Sequence, residues 1–357
     1  DHRGPPCGPA PSEGVDAVKA LRTSAWLRAL AHSAPVRALV ERWERAGEPV
    51  PLLRVLTYHR VAPPDERPDL APHLAVRPEH FEAHVRLVVS RYRPVSLEEV
   101  LDAVEGRRPL PPRAVLVTFD DAYIDFARHA WPVLRREGVP VVLFVPTAYP
   151  GDPSAAFWWD RLYHALHTAR HGAVETPLGR LPLRSPRERR RAYRRLRAHV
   201  KALPHDEAMR FLDALCARLG APAARGSVLD WEGLRRLAGE GVTLAPHSRT
   251  HPLFNRIPPE RARLEALCSW ADLVRHVGPV PRVFAYPSGG VNGAVVGQLA
   301  RAKFRLAFTT ERGINDLRAA HPLRLRRLNV GAGTTLPLLR VQLVPQVRYL
   351  SALQAAL

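Results

Sequence analysis

At 357 residues, 46% hydrophobic and 24% charged, the chain is long enough for one large α/β domain with an appendage or for two small domains. No run approaches the roughly 20 apolar residues of a membrane span, and the three widely spaced cysteines, Cys7, Cys216 and Cys268, exclude a disulfide framework and a cysteine-built zinc site. The net charge of +19 would suit nucleic acid, but lysine occurs only at Lys19, Lys201 and Lys303; the excess is arginine in a chain rich in alanine and proline, which reads as compositional bias.

Residues 1–12 are rich in proline and glycine and are expected to be disordered. No signal-peptide pattern opens the chain. Over 15–43, apolar residues and arginines mix with helical spacing, broken near Pro35. A helical extension is therefore expected within 1–49. It either packs on the outside of the main domain or, through Trp26, Leu27, Leu30 and the flanking arginines, lies at a membrane interface.

The domain proper is expected over 50–357. Seven short apolar runs mark it, at 52–58, 114–119, 140–145, 242–245, 282–286, 305–309 and 325–330. Helical patterns separate most of them, so an α/β fold with a parallel sheet is predicted. One interval, about 150–230, is unusually long. Trp158-Trp159-Asp160 opens it, and helices near 187–202 and 205–219 fill it. The two tryptophans either pack in the interior or present aromatic faces to sugar rings. Seven arginines fall between positions 187 and 197. They form a solvated helix face, or a contact for an anionic polysaccharide or membrane surface.

Two stretches carry chemistry. Thr118-Phe119-Asp120-Asp121 ends the second apolar run, and His247-Ser248-Arg249-Thr250-His251 follows the fourth. Alone, each has a plain explanation: an Asp-Asp pair after a strand is often a helix cap, and sixteen histidines make a His-x-x-x-His spacing easy to reach by chance. Both at strand ends, in this order, are much harder to obtain by accident. A carboxylate and two imidazoles suit a divalent ion, with ligand distances of roughly 2.0–2.2 Å for zinc. Three protein ligands leave positions open for water and substrate, as in a catalytic rather than a structural site.

At these residues the chain resembles the polysaccharide deacetylase family, also called the NodB-homology or carbohydrate esterase family 4 group. Thr118-Phe119-Asp120-Asp121 matches its first motif, and the histidine stretch matches its second, H-S-x-T-H, at every defined position. The similarity runs from about Leu53 to Val330. Thr57-Tyr58-His59-Arg60-Val61 is similar to the Tyr-His element that opens the bacterial exopolysaccharide deacetylase branch, and Phe157-Trp158-Trp159-Asp160-Arg161-Leu162 to another segment of such proteins. The resemblance implies an incomplete (β/α)7 TIM-like barrel with the helical insertion at its catalytic rim. It further implies Asp120 as general base and Asp121, His247 and His251 as metal ligands. Zinc is the leading metal, with iron, cobalt or nickel able to substitute.

Two departures shift the remaining roles. The family's Arg-Pro-Pro-Tyr-Gly-like third motif is Ala285-Tyr286-Pro287-Ser288-Gly289 here and lacks the Arg that steadies the base. Arg327, in Arg326-Arg327-Leu328-Asn329-Val330, is expected in its place, and the Ser288 N–H as the oxyanion donor. The carboxy-terminal Leu-x-His motif is also missing, since no histidine follows Val330. His59 is expected as the general acid; otherwise it is a structural histidine of the barrel.

The implied activity is hydrolytic removal of N-acetyl groups from amino sugars of a bacterial polysaccharide. The same chemistry on a lipid-linked sugar, a peptidoglycan fragment or an O-acetyl ester stands beside it. A catalytically weak, metal-containing carbohydrate-binding protein is the alternative from another class, favoured by the two departures. The expected partner is an N-acetylated polysaccharide or oligosaccharide and not nucleic acid, with peripheral membrane contact left open by the amino-terminal helix. The location is then cytoplasmic or peripheral at the bacterial membrane.

Overall fold

The computed structural model describes residues 30–346 except Gly47 and Pro49. The expectations for residues 1–12 and for Trp26 and Leu27 fall outside the described residues. Two compact units separate: Glu48–Thr334, and a small one in which residues before Glu48 cluster with those from Thr335 onward. In the small unit the helices Ala34–Arg45 and Leu336–Leu343 bury Val40, Leu338 and Val341 together. Arg340 forks onto the buried Glu44 there, at 2.6 and 3.1 Å. No helix among the described residues is long and apolar enough to cross a membrane.

The large unit is built on seven parallel strands: β1 (Leu52–Tyr58), β2 (Ala114–Phe119), β3 (Val141–Val145), β4 (Thr243–Pro246), β5 (Val283–Ala285), β6 (Leu306–Arg312) and β7 (Leu325–Asn329). Their order is β5-β6-β7-β1-β2-β3-β4, with β1 and β2 in register from Arg54↔Val115 to Tyr58↔Phe119. All six neighbour pairs are parallel. These strands coincide with the seven apolar runs because strands covered on both faces read as unbroken apolar sequence. Leu53, Val55, Leu116, Phe144, Ala285, Phe308 and Leu325 fill the interior. The strands thus form a nearly closed α/β barrel. No backbone ladder joins the two ends of the order, β4 and β5, among the described residues.

The long interval after β3 folds as three helices and a hairpin. Helix α1 (Trp158–Thr168) is followed by the antiparallel pair Ala173–Thr176 and Gly179–Pro182, then α2 (Pro186–Ala202) and α3 (His205–Arg218). Leu162, Leu166, Leu181, Leu196, Leu212 and Leu215 join Trp158 and Trp159 in a core of their own. Burial of each such leucine contributes about 2 kcal/mol relative to exposure. A capping box starts α2: Ser185 Oγ accepts from the Glu188 N–H at 3.2 Å, and the Glu188 carboxylate accepts from the Ser185 N–H at 2.9 Å. Arg189 closes the end of α1 by donating to the carbonyls of Leu166, His167 and Ala169 at 2.7, 2.7 and 3.1 Å. One arginine of the cluster is therefore a helix cap, while Arg187, Arg190, Arg191 and Arg194 are exposed.

Candidate active site

Strand β2 delivers both aspartates. The Asp120 N–H continues the ladder onto the Tyr58 carbonyl at 2.9 Å, and Thr118 Oγ1 donates to the Leu56 carbonyl at 2.8 Å. The chain then turns through left-handed backbone at Asp121 (φ 72°) and Ala122 (φ 49°). Asp accepts that conformation more readily than bulky or β-branched residues do. Consecutive outliers of this kind cluster at functional sites.

The turn separates the fates of the two carboxylates. Asp120 is gripped by Arg327 of β7, with Nη1 to Oδ1 at 2.8 Å and Nη2 to Oδ2 at 2.7 Å. Arg327 Nε donates to the Thr309 carbonyl at 2.8 Å, so the guanidinium is itself held in place. Both side chains are buried, Asp120 2% and Arg327 0% exposed. Burial alone would raise the Asp120 pKa; the Arg327 charge, with His247 adding to it, outweighs burial and holds the carboxyl below its usual range. A planar fork matched to a carboxylate fixes orientation as well as charge.

Asp121 faces the two imidazoles instead. Its Oδ1 lies 3.2 Å from His251 Nε2 and 3.5 Å from His247 Nε2. The three ligand atoms lie within 4.8 Å of one another, and all three residues are buried. Asp121 Oδ1 nevertheless has no hydrogen-bond partner among the described residues. The His247 N–H is spent elsewhere, because Nδ1 donates to the Ala285 carbonyl at 2.7 Å. That leaves the Nε2 lone pair pointing at an orphaned carboxylate oxygen, an arrangement that fits a cation between them. Burial would raise the Asp121 pKa, but contact with His247 and His251 holds it far below the usual range.

The remaining residues of the histidine stretch shape its loop. Ser248 (φ 66°) and His251 (φ 59°) are left-handed, and Ser248 Oγ accepts from the His251 N–H at 3.0 Å. Glu265, on the helix Pro259–His276, takes the N–H groups of Arg249 and Thr250 at 2.8 Å each and the Thr250 hydroxyl at 2.6 Å. The Ser and Thr of this stretch thus build the turn that presents the imidazoles. Nothing in the sequence points to Glu265, which looks like any helix carboxylate.

His59 follows β1 and is half-buried. Burial lowers its pKa, partly opposed by Asp121 and Asp120 and reinforced by Arg327 and His247. Ser288 sits just past β5 with φ 50°, half-exposed, and its carbonyl accepts from Thr310 Oγ1 at 3.4 Å. Gly289 beside it has φ 73°, and a Cβ there would run into the Thr310 side chain. No hydrogen bond joins Ser288 to Asp120, Asp121, His247, His251 or Arg327 among the described residues.

A buried network not foreseen from the sequence supports His251. The Trp159 ring stands 4.8 Å from it and the Phe157 ring 5.6 Å. Trp159 Nε1 donates to the Tyr123 hydroxyl at 2.9 Å, which donates to Asp160 Oδ2 at 2.7 Å; Asp160 Oδ1 accepts the Ala71 N–H at 2.8 Å. Burial pushes the Asp160 carboxyl up to about 6. Trp158 and Trp159 are 5% and 6% exposed, so the packing role applies to both rather than a sugar-stacking one. Next to them Arg60 Nε pairs with Asp125 Oδ2 at 2.7 Å, and Asp125 Oδ1 accepts the Val61 N–H at 3.2 Å.

Comparison with known proteins follows the same lines. The family model described as polysaccharide deacetylase matches residues 107–307. The chain is similar to the poly-beta-1,6-N-acetyl-D-glucosamine N-deacetylase of Escherichia coli (strain K12), 26% identical over 229 residues that make up 62% of this chain and 29% of that protein. It thus spans less than a third of this relative's length. Among solved structures it is similar to the Streptococcus pyogenes deacetylase PplD in complex with acetate, with TM-score 0.55, 18% identity and coverage of 83% of this chain and 99% of that one. It is also similar to IcaB from Ammonifex degensii, with TM-score 0.54, 22% identity and coverage of 83% and 97%. At these identities the likeness is one of fold.

Proposed function

The chain belongs to the polysaccharide deacetylase family, and from that premise we propose that it is a metal-dependent hydrolase removing N-acetyl groups from amino sugars of a bacterial polysaccharide. One observation supports this reading above the others: the buried Asp121–His247–His251 set lies directly beside a carboxylate kept ionised by Arg327. Asp121, His247 and His251 would hold the ion, and two imidazoles with one carboxylate suit zinc first, with iron, cobalt or nickel sharing the preference. When bound, a divalent ion supplies Lewis acidity, easing deprotonation of water and polarising the acetamide carbonyl.

The chain's own residues do the rest. Asp120 takes a proton from the attacking water, a reading supported by its ionised carboxylate and by Oδ2 lying 4.0 Å from His247 Nε2. Arg327 keeps that carboxylate charged and aimed. The Ser288 N–H donates to the carbonyl oxygen as negative charge develops on it. His59 gives a proton to the nitrogen as the C–N bond breaks, a transfer an imidazole can make in either direction and one that the lowered pKa of this ring favours. Water and amide become acetate and a free amine. The name of the Escherichia coli relative supports a polymer of N-acetylhexosamine as substrate.

Acetate release from N-acetylglucosamine oligomers, measured with and without a chelator and after reloading with zinc, tests this proposal. Chelator-sensitive acetate is the expected result. Sugar binding with no such acetate would identify a carbohydrate-binding protein instead.

A further inference from the structure

One face of α2 carries Tyr193, Arg197 and Lys201, spaced one turn apart so that they line up on one side. This face meets the catalytic rim. Arg197 Nη1 donates to His73 Nε2 at 2.5 Å, and the Tyr193 ring stands 5.9 Å from the His73 ring. His73 lies in the segment that follows His59, and its carbonyl accepts from Ala332 N–H, just past β7, at 3.3 Å. Arg197 is therefore tied, through His73, to the segment just past β7, the strand that brings Arg327 to the site, and Lys201 lies one turn further along the same face of α2.

The buried arginines Arg54, Arg60 and Arg327 all reach carboxylates. Arg197 and Lys201 reach none among the described residues. Arg197 instead stands over the Tyr193 ring, 5.7 Å away, and the Tyr193 hydroxyl is buried with no hydrogen-bond partner among the described residues. Both cations are half-buried, where leaving a like-charged pair without a counter-ion is unfavourable. Burial, then the Arg197 charge, pushes Lys201 down to about 8, with the Asp121 charge acting the other way. A guanidinium beside an ammonium is a common arrangement for gripping carboxylate or phosphate.

We propose that Arg197 and Lys201 form an oxyanion subsite at the catalytic rim, and that the substrate carries a carboxylate or phosphate close to the N-acetylated sugar. This rests on the deacetylase reading above and narrows its substrate class to anionic glycans: an acidic sugar next to the N-acetylhexosamine, or a sugar joined through phosphate.

The test compares charged with neutral probes on the full chain. Calorimetry with N-acetylglucosamine 1-phosphate, with a hyaluronan tetrasaccharide and with the neutral β-1,6-N-acetylglucosamine tetramer measures binding, and acetate release from the same probes measures turnover. At least one charged probe is expected to bind about tenfold more tightly than the neutral tetramer, the margin shrinking as salt is raised. Preference for the phosphate probe points to a phosphate-linked sugar, and preference for the tetrasaccharide to a uronate. The doubly substituted Arg197→Gln, Lys201→Gln protein should lose that ratio. Lys201→Arg should keep it, and so should Arg191→Gln, which removes an exposed charge outside the cluster. Equal affinity for charged and neutral probes in the unsubstituted protein overturns the subsite, as does a preference that survives the double substitution in protein that melts normally. Chelator-sensitive acetate without charge preference removes the subsite and leaves the deacetylase reading standing. Charge-dependent binding with no acetate from any probe does the reverse.

Discussion

At position 120 a carboxylate is almost fully buried yet charged, because a guanidinium holds both of its oxygens. Removing one partner of such a pair leaves an uncompensated charge in the interior. Arg327→Met is therefore expected to lower unfolding stability by about 3–5 kcal/mol in urea titrations. Asp120→Asn should keep its metal by elemental analysis and lose acetate release by at least about a hundredfold, the scale of a positioned base; near-normal turnover would remove Asp120 from that role. His59→Ala should depress turnover with metal content unchanged, whereas metal loss or unfolding would argue for a structural histidine. That Asp120, Asp121, His247 and His251 come together was legible in the sequence, because both stretches follow apolar runs that read as strands. Arg327 was reached only through the Arg missing from the third motif. Glu265 and Tyr123 were not legible, since a carboxylate on a helix and a tyrosine after a turn declare nothing until folding brings them to a loop or a ring.

The insertion between β3 and β4 works as an element with its own core and a buried acid at its entrance. Asp160 is fully buried, and burial lifts its pKa from the usual 3.8 to about 6, against the hydrogen bonds from Ala71 and Tyr123. The folded chain therefore holds this proton more tightly than the unfolded one does. Its contribution to stability is full below about pH 4 and is lost as pH rises through about 6, an effect of about 3 kcal/mol. Asp160→Asn should flatten that part of the profile in urea unfolding measured between about pH 4 and about pH 6. An unchanged slope would mean that Asp160 stays ionised in the fold. The helices α2 and α3 were legible from their periodicity, and their starts are sharpened by Ser185 with Pro186 and by Pro204. That Arg189 is a cap, and Arg197 a neighbour of the catalytic rim, was not: seven arginines in one helix look alike until their partners are known.

For the molecule as a whole, the seven strands were recovered because each is a buried apolar run. The largest error in their bounds has a physical cause. Strand β6 continues to Arg312, past the expected end at 309, since Thr310, Glu311 and Arg312 run out toward solvent and no longer read as apolar. The clustering of residues from Thr335 onward with the amino-terminal helix had no sequence signal, because two apolar faces at opposite ends of a chain carry no record of each other. A ligand that binds only the folded state raises its stability by mass action. Saturating zinc is thus expected to raise the melting temperature by several degrees and a chelator to lower it. Asp121→Asn should be indifferent to both. Zinc stabilisation of equal size in that variant would place the ion elsewhere.

The gap in the barrel wall gives His247 two duties. Where β4 meets β5 no ladder runs among the described residues, and the Nδ1–H of this imidazole reaches across to the Ala285 carbonyl. The same ring turns its other nitrogen toward Asp121 Oδ1, 3.5 Å away. A sideways parting of the wall at this point would break the bond that orients that ring, so one contact both spans the gap and aims the imidazole.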